Sequence, residues 1–301
     1  MMDKSRAFLR TLGLPGGDLH ALPTSEATFP GGAQFGVEIP TVNTFAAAKA
    51  LLRETQRLGV TVNRIDETLG AFRHTRAELL EYAALCRDSG AALTVSIGPR
   101  AAYDTSATRL SRQGAVIGYR LRGEEQLVRA LEDAKRVCDL GIRGLLWVLS
   151  EARKTGELPA DTVLKASAHC GHGNGASFRL LEQCGADSIN PVRDLSLDML
   201  CALRASVSVP LDVHTDCPEG SGGFIRTYEA PEIVRCCAPV YLKIGNSALA
   251  AHGSLPTEAD AARMAQQAAI VMEMLERYLP EARQLARGEG RGLVAEAEVR
   301  V

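Results

Sequence analysis

Three side chains that could take part in catalysis lie close together in the segment VLKASAHCGHGN, residues 163–174. Lys165, Ser167 and His169 are two residues apart, and side chains alternate across a β-strand, so the spacing predicts that all three share one face. A lysine in an apolar interior near other cations loses proton affinity and can attack a carbonyl group to form a Schiff base. A lysine that stays protonated would instead bind a substrate anion. The sequence leaves both roles open for Lys165.

A second group of reactive side chains comes from other segments. Asp212 and His214 are also two residues apart, in the run VPLDVHT. With His169 and Glu38 they would form a nitrogen and oxygen ligand set suited to Zn²⁺, Mn²⁺ or Fe²⁺, so a divalent metal is a possible cofactor while none is certain. Without a metal, a carboxylate would orient a histidine for proton transfer. The lack of a compact motif such as HExxH favours the acid–base interpretation.

The elements that must position these side chains are short apolar runs, each followed by a loop or by a segment with helical periodicity. Several helical segments end on a glycine directly before the next run, as at the helix-to-strand turns of alternating folds. This alternation predicts an α/β fold with a parallel sheet, and eight such units close a TIM (β/α)8-type parallel barrel. No GxGxxG fingerprint follows a strand, which argues against an open doubly wound sheet. The candidate strands are 35–40, 60–66, 92–98, 115–123, 144–149, 163–169, 186–190, 209–215 and 239–245.

The strand count and the flanking segments set the expected organisation of the chain. Nine candidates are one too many for the barrel, so either 35–40 or 144–149 is expected to lie outside it. We expect an N-terminal helix and loop over residues 1–34, the barrel domain over 35–286 and a C-terminal tail over 287–301.

Polar residues are predicted at the carboxyl end of almost every strand. In a barrel these ends converge on one mouth, where the chemistry of the fold takes place. Charged residues are rarely buried without partners, so a ring of them predicts an active site rather than a set of unrelated ion pairs. The predicted catalytic residues are Glu38, Lys165, His169, Asp212 and His214. The predicted substrate-binding residues are Arg64, Arg120, Arg122, Ser167, Asn190, Lys243, Gly245 and Asn246, and Asp66, Ser96 and Ser188 face the same interior.

The predicted mouth carries an excess of positive charge. Arginine binds planar anions through parallel donors, so a small substrate bearing a carboxylate or a phosphate is expected. The glycine-containing breaks GHGNGAS and GNSALA could offer N–H groups to a phosphate, and each could equally be an ordinary capped turn. The cations are Arg64, Arg120, Arg122, Lys165 and Lys243, and the carboxylates are Glu38, Asp66 and Asp212.

Composition narrows the classes of partner. A formal charge of −2 and the absence of a lysine- and arginine-rich run argue against nucleic acid. No apolar stretch reaches the roughly 18 residues of a membrane helix, and the N-terminus lacks a secretory hydrophobic core. The eight cysteines form no CxxC pair, and most are expected to be small core residues. We therefore expect a cytoplasmic protein with a small-molecule substrate, no nucleic-acid or membrane partner and a possible homodimer.

Several longer segments resemble bacterial TIM-barrel proteins that are filed as U32-type peptidases. The segments are VEIPTVNT, GADSINPVRDLSLDML and PLDVHTDCPEGSGGFIRTYEAPEIVRCCAPVYLKIGNSALAAHG, and the likeness extends from about Phe35 to Leu279. The resemblance implies a barrel more firmly than a reaction. The U32 cysteine signature and the four cysteines that hold an iron–sulfur cluster in its hydroxylase relatives are not found here.

Four functional hypotheses follow. The leading one is a barrel enzyme that acts on a small anionic metabolite by lyase, aldolase or isomerase chemistry, with LKAS similar to the lysine strand of class I aldolases of the deoxyribose-phosphate type. The others are a metal-dependent hydrolase or isomerase, a U32-like peptidase-family protein, and a barrel that binds a metabolite without catalysis.

Overall fold

The predicted apolar runs form a closed parallel barrel. The structure is a computed structural model, and it describes residues 2–98, 121, 123–142, 144–145, 150–251 and 253–289. Each strand pairs in parallel with the next, and β1 pairs with β8 to close the ring, so the predicted (β/α)8-type barrel is confirmed. The strands are β1 Phe35–Ile39, β2 Arg64–Glu67, β3 Ala92–Val95, β4 Gly144–Leu145, β5 Val163–Ala166, β6 Ser188–Ile189, β7 Leu211–His214 and β8 Val240–Lys243.

The sequence did not identify which of the nine candidate strands is surplus to the barrel. The runs 35–40 and 144–149 both contribute a barrel strand, so the expectation that one of them lies outside is wrong. Thr94 of β3 pairs directly with Gly144 of β4. Most of 115–123 lies outside the described residues. A β-branched run alone therefore did not show which segment enters the barrel.

The helices connect the strands along the outside of the barrel, and polar residues at several of their first turns explain where they begin. Thr75 and Glu78 form a reciprocal capping box at the start of one helix, and Gly90 ends that helix in a left-handed conformation. No helix in the described ranges is long and apolar enough to cross a membrane. The helices are α1 Asp3–Thr11, α2 Phe45–Arg57, α3 Arg76–Ser89, α4 Gly123–Asp139, α5 Ser150–Lys154, α6 Gly175–Gln183, α7 Leu197–Arg204, α8 Ala230–Cys237 and α9 Glu258–Tyr278.

The amino-terminal end of the barrel is closed by segments from both ends of the described chain. Phe29 and Ala33, which precede β1, pack with Tyr241 of β8 and with Leu285, which follows α9. The ring of Phe29 meets that of Tyr241 edge-on, with the centroids 5.0 Å apart. This apolar plug covers the amino-terminal end of the barrel interior. A ligand can therefore enter at the opposite end, where the carboxyl ends of the strands lie.

Candidate active site

Six charged side chains fill the middle of the barrel, and none of these residues exposes more than 4% of its surface. The strand register brings them together, because Glu38 of β1 lies beside Arg64 of β2 on one side and beside Lys243 of β8 on the other. We call this set the ionic layer. Its members are Glu38, Arg64, Asp66, Lys165, Asp212 and Lys243.

The two lysines of the ionic layer share the same acceptors. The ammonium Nζ of Lys165 donates to Oε1 of Glu38 at 2.5 Å and to Oδ2 of Asp66 at 2.7 Å. Lys243 donates to the same two oxygens, at 2.7 Å in the case of Asp66. Asp212 lies 3.6 Å from Nζ of Lys165 as a third carboxylate. Lys165 is therefore held on three sides by carboxylate oxygens.

Arg64 connects the ionic layer to the apolar plug at the amino-terminal end of the barrel. Its Nε donates to Glu38 at 2.5 Å, its Nη2 donates to Asp212 at 2.5 Å, and its Cζ lies 3.7 Å from the centroid of the Tyr241 ring. Burial opposes the charge, but Asp212 and Glu38 raise the pKa of Arg64 above its usual range. Ser188 donates to the other oxygen of Asp212 at 2.9 Å. Arg64 is thus a permanent cation that fixes two of the carboxylates.

The ionic layer itself carries no excess of cations. The ionic layer holds three acids and three bases, so its formal charge is zero when all six are ionised. Arg120 and Arg122, which account for the predicted excess, lie outside the described residues. A balanced set is what burial requires, because an unpaired charge in an apolar interior is costly.

The surroundings shift the pKa values of the two lysines in opposite directions. Burial, followed by the charge of Arg64, lowers the pKa of Lys165, and the carboxylates around it do not cancel this effect. Burial also opposes the charge of Lys243, but Asp66 and Glu38 raise its pKa above the usual range. Lys165 is therefore the amine that gives up its proton more easily.

The pKa values of two carboxylates, Asp66 and Glu38, are also shifted in opposite directions. Burial and the nearby charge of Glu38 raise the pKa of Asp66. Burial would also raise the pKa of Glu38, but Arg64, Lys165 and Lys243 together hold it well below its usual range. Pairs of groups with pKa values pushed apart are the arrangement that acid–base catalysis uses. Asp66 is the carboxylate that can accept a proton, while Glu38 stays ionised.

Several buried polar atoms without a hydrogen-bond partner lie near the carboxyl ends of the strands. Among the described residues, these atoms lie in or just after β1, β2, β3, β6, β7 and β8. Native proteins leave few buried polar atoms unpaired, so a ring of them at one mouth is a place where a polar ligand would complete the bonding. They are Oγ1 of Thr41, Oδ1 of Asp66, Oγ of Ser96, Nε of Arg193, Nδ1 of His214 and both polar side-chain atoms of Asn246.

His214 lies at the end of β7 beside this ring. It pairs in register with Lys243, and only 4% of its surface is exposed. Burial, then the charges of Lys243 and Arg193, hold the pKa of His214 well below its usual range. The imidazole is therefore neutral near pH 7 and can accept a proton.

Two predicted residues of the β5 segment are placed differently from the prediction. The strand ends at Ala166, so alternation does not extend to Ser167 and His169. Ser167 caps a short 3-10 turn over 168–170 by accepting from the N–H of His169 at 3.3 Å. His169 lies in that turn, half-buried, with Nε2 3.4 Å from Nη2 of Arg193. Of the three side chains predicted to share a face, only Lys165 is in the ionic layer.

The predicted anion-binding loop after β8 is already occupied by an anion of the protein. Asp216 accepts from the N–H of Gly245 at 2.8 Å and from the N–H of Ser247 at 2.5 Å. The N–H of Gly245 is therefore engaged within the protein, and its role in substrate binding stays a prediction. The side chain of Asn190 is also engaged, because its Nδ2 donates to the main-chain oxygen of Asp212.

The predicted metal ligands do not form a metal site. In the ranges that the structure describes, no three side chains of histidine, cysteine, aspartate or glutamate are arranged to hold an ion. Glu38 and Asp212 point their oxygens at Arg64 and Lys165, and His169 lies in the turn beyond the strand. The set of Glu38, His169, Asp212 and His214 is therefore not brought together, because cations already neutralise the carboxylates.

Sequence reasoning missed three residues that contact the site or the loops around it. Tyr241 was not identified because it lies below the strand end, and Asp216 because its partners are about thirty positions further along the chain. Arg193 follows β6 in the loop NPVRD, which has no periodicity to show where a side chain points. Its place beside the strand end was the only available signal.

The eight parallel strands and the mouth at their carboxyl ends define a TIM-type (β/α)8 barrel. No protein-family model matches the chain, and no curated sequence matches it either. Similar solved structures include one titled native KDPGal, which is 11% identical with a TM-score of 0.49, over 84% of this chain and 98% of that one. A thiamine phosphate pyrophosphorylase from Pyrococcus furiosus is 15% identical with a TM-score of 0.44, over 81% and 97% of the two chains.

A U32 peptidase is also among the similar structures. It is 15% identical with a TM-score of 0.39, over 64% of this chain and 72% of that one. At these values none of the similarities carries an argument about function. The fold rests on the strand pairing, and the function must be argued from the side chains.

Proposed function

We propose that the barrel is an enzyme that acts on a small anionic carbonyl compound by lyase or aldolase chemistry, with Lys165 as the nucleophile. The observation that carries the proposal is the environment of Lys165, a fully buried amine in contact with carboxylates and with its pKa lowered. The mouth above it carries polar atoms that a substrate would satisfy. An amine in this state attacks carbonyl carbons to form Schiff bases.

The cost of the ionic layer supports a functional role. Each charge loses its hydration on burial, and apolar residues of similar volume often replace such groups at no loss of stability. Folding therefore does not require six ionised side chains in the middle of a barrel. Clusters of buried groups with shifted pKa values are typical of active sites. The layer is best explained by chemistry that needs a reactive amine beside a proton acceptor.

The proposed reaction begins with a proton transfer inside the layer. The proton of Lys165 moves to Oδ2 of Asp66 across their 2.7 Å hydrogen bond, which leaves a neutral amine and a neutral acid. The lone pair of Nζ then attacks the substrate carbonyl carbon, and one proton of Nζ moves to the carbonyl oxygen to give a carbinolamine. The protonated Asp66 donates a second proton to that oxygen, which leaves as water. The product is a protonated Schiff base, whose positive charge is stabilised by the ionised carboxylate of Glu38.

Carbon–carbon cleavage follows from that intermediate. His214, neutral at the end of β7, accepts the proton of a substrate hydroxyl group. The electrons of the breaking carbon–carbon bond move to the Schiff-base nitrogen and give an enamine, while the hydroxyl carbon leaves as an aldehyde. The enamine takes up a proton, and water releases the second product and restores the lysine.

Borohydride trapping tests the nucleophile directly. The protein is incubated separately with pyruvate, glyoxylate, glyceraldehyde 3-phosphate and dihydroxyacetone phosphate, reduced, digested and analysed by mass spectrometry. We expect a reduced adduct on Lys165 and none on Lys243, which has the same acceptors but a raised pKa. Lys243 is therefore an internal control for non-specific labelling. An adduct on Lys243 alone, or none with any compound, contradicts the proposal.

A second candidate is an isomerase that moves protons without a lysine adduct. Oδ1 of Asp66 and Nδ1 of His214 are buried without partners, so both are free to exchange a proton with a ligand. This function predicts that carbon-bound hydrogen of a substrate exchanges with deuterium oxide, as observed by NMR, in both the wild type and Lys165→Arg. Exchange that is lost in Lys165→Arg would exclude this candidate and favour the Schiff-base mechanism.

A further inference from the structure

We infer that Arg193 binds the anionic group of the substrate and that this group is a carboxylate rather than a phosphate ester. The inference rests on the proposed function and narrows its substrate class to small oxo acids. Three features of the mouth support it: the pairing of its cations, the N–H groups already engaged in the loops that could hold a phosphate, and the shape of the guanidinium group.

Among the described cations at the mouth, Arg193 is the one with no carboxylate to neutralise its charge. Arg64, Lys165 and Lys243 each contact at least two carboxylates. In contrast, none of the described acids lies within ion-pair distance of Arg193, and its buried Nε has no acceptor. The contact of its Nη2 with Nε2 of His169, at 3.4 Å, supplies no negative charge. Because an arginine only donates, that ring nitrogen must present its lone pair.

The neighbours of Arg193 place it at the substrate entrance. The loop that carries it packs against the turn after β5, where Val192 donates its N–H to the carbonyl oxygen of His172. On the other side, the charge of Arg193 acts on His214 and on Cys217, which end and follow β7. Arg193 therefore stands between the ends of β5 and β7, the strands that carry the proposed nucleophile and base.

The two loops where a barrel of this type could hold a phosphate already use some of their N–H groups within the protein. The N–H groups of Gly245 and Ser247 donate to Asp216, so these two donors are not available to a second acceptor. At the start of α6, Asn174 accepts from the N–H of Ser177 at 3.0 Å. Both glycine-containing loops thus already use N–H groups to bind side chains of the protein, which leaves fewer donors for a phosphate dianion than for a ligand of Arg193.

A single guanidinium group fits a single carboxylate. Its parallel N–H groups match the two oxygens of a planar carboxylate, and one positive charge balances one negative charge. The unpartnered amide of Asn246, which is 1% exposed, lies at the same mouth and can bond the carbonyl or hydroxyl oxygen of such a substrate. The site is therefore suited to a compound with one carboxylate next to a reactive ketone or aldehyde.

Pyruvate and hydroxyacetone provide a matched pair of probes, because they share a methyl ketone and differ in carboxylate against hydroxymethyl. We expect the rate of adduct formation at Lys165 with pyruvate to fall about 10- to 100-fold in Arg193→Met, the loss typical of a charged hydrogen-bonded contact. The rate with hydroxyacetone should be the same in both proteins. Arg193→Lys, which keeps the charge but not the two parallel donors, should lie between them. Arg53→Met on α2 controls for the loss of any arginine.

The outcomes separate this inference from the proposed function. An equal fall for pyruvate and hydroxyacetone, or faster trapping of dihydroxyacetone phosphate, which is also a ketone, than of pyruvate, overturns the carboxylate assignment and leaves Lys165 as the nucleophile. If no compound labels Lys165, the proposed function fails, and calorimetric binding of oxalate then tests Arg193 by itself. Oxalate that binds wild type and Arg193→Met equally overturns the inference.

Discussion

Replacing Glu38 with alanine is expected to lower the free energy of unfolding by about 3–5 kcal/mol, the cost of leaving buried charges without their partner. Glu38 accepts from Arg64, Lys165 and Lys243, and it is completely buried. Its removal leaves three cations with the carboxylates of Asp66 and Asp212 only. Urea unfolding of the wild type and the variant at pH 7, followed by circular dichroism, measures the difference.

Two further variants identify the cause of that loss. Glu38→Gln keeps the size of the side chain and removes its charge, so its stability should lie between those of the wild type and Glu38→Ala. Glu54→Ala on α2, which removes a carboxylate that pairs with the exposed Arg57 at 2.8 Å, should change stability far less. Similar losses for Glu54→Ala and Glu38→Ala would show that the ionic layer has no special contribution.

The pKa of Glu38 also fixes the sign of a pH dependence. Because its pKa is lower in the folded than in the unfolded state, its contribution is fully present above the unfolded value of about 4.3 and is lost as the pH falls through the folded value. The wild type should therefore lose stability on acidification below about pH 4. In Glu38→Gln this part of the acid sensitivity should disappear.

Replacing Lys165 with arginine is expected to abolish the borohydride-trapped adduct and to reduce turnover by about 10³- to 10⁶-fold, the range seen when a nucleophile is removed. Arginine keeps the positive charge among the carboxylates of Glu38, Asp66 and Asp212, so the barrel should remain folded. A guanidinium group does not lose its proton and cannot form the Schiff base. Mass spectrometry of the reduced protein and a product assay measure the two effects.

The pH dependence of trapping provides an independent check. The adduct forms from the unprotonated amine, so the rate in the wild type should rise with pH and reach half its maximum below the pKa of an ordinary lysine. Lys243→Arg should still give the adduct on Lys165. A half-maximum at or above the ordinary lysine value, or turnover that survives Lys165→Arg, would rule out Lys165 as the nucleophile.

Strand periodicity allowed much of the barrel and its interior to be predicted. The alternation of inward positions correctly placed Glu38, Arg64, Lys165, Asp212 and Lys243 in one interior, because each lies within a regular strand. The charge balance of that interior could not be predicted in the same way. It depends on which acid meets which base, and partners such as Glu38 and Lys243 are far apart in the chain.

The other residues of the site lie in loops and turns, beyond the regular strands whose alternation allows prediction. Ser167 and His169 were misplaced because β5 stops at Ala166 and the chain turns. The acceptor of the N–H groups in the loop after β8 could not be identified from the sequence, because Asp216 belongs to a different loop. A loop side chain is placed by tertiary contacts, and no local pattern reports those contacts.

The two halves of the barrel contribute opposite net charges to the ionic layer. The first four strands contribute Glu38, Asp66 and Arg64, with one surplus negative charge, whereas the last four contribute Lys165, Lys243 and Asp212, with one surplus positive charge. With all six groups ionised, neither half can therefore bury its share of the layer in a neutral state. Closure of the ring brings the two opposite surpluses together, so we expect the ionised layer to favour assembly of the whole barrel over the joining of two finished half-barrels.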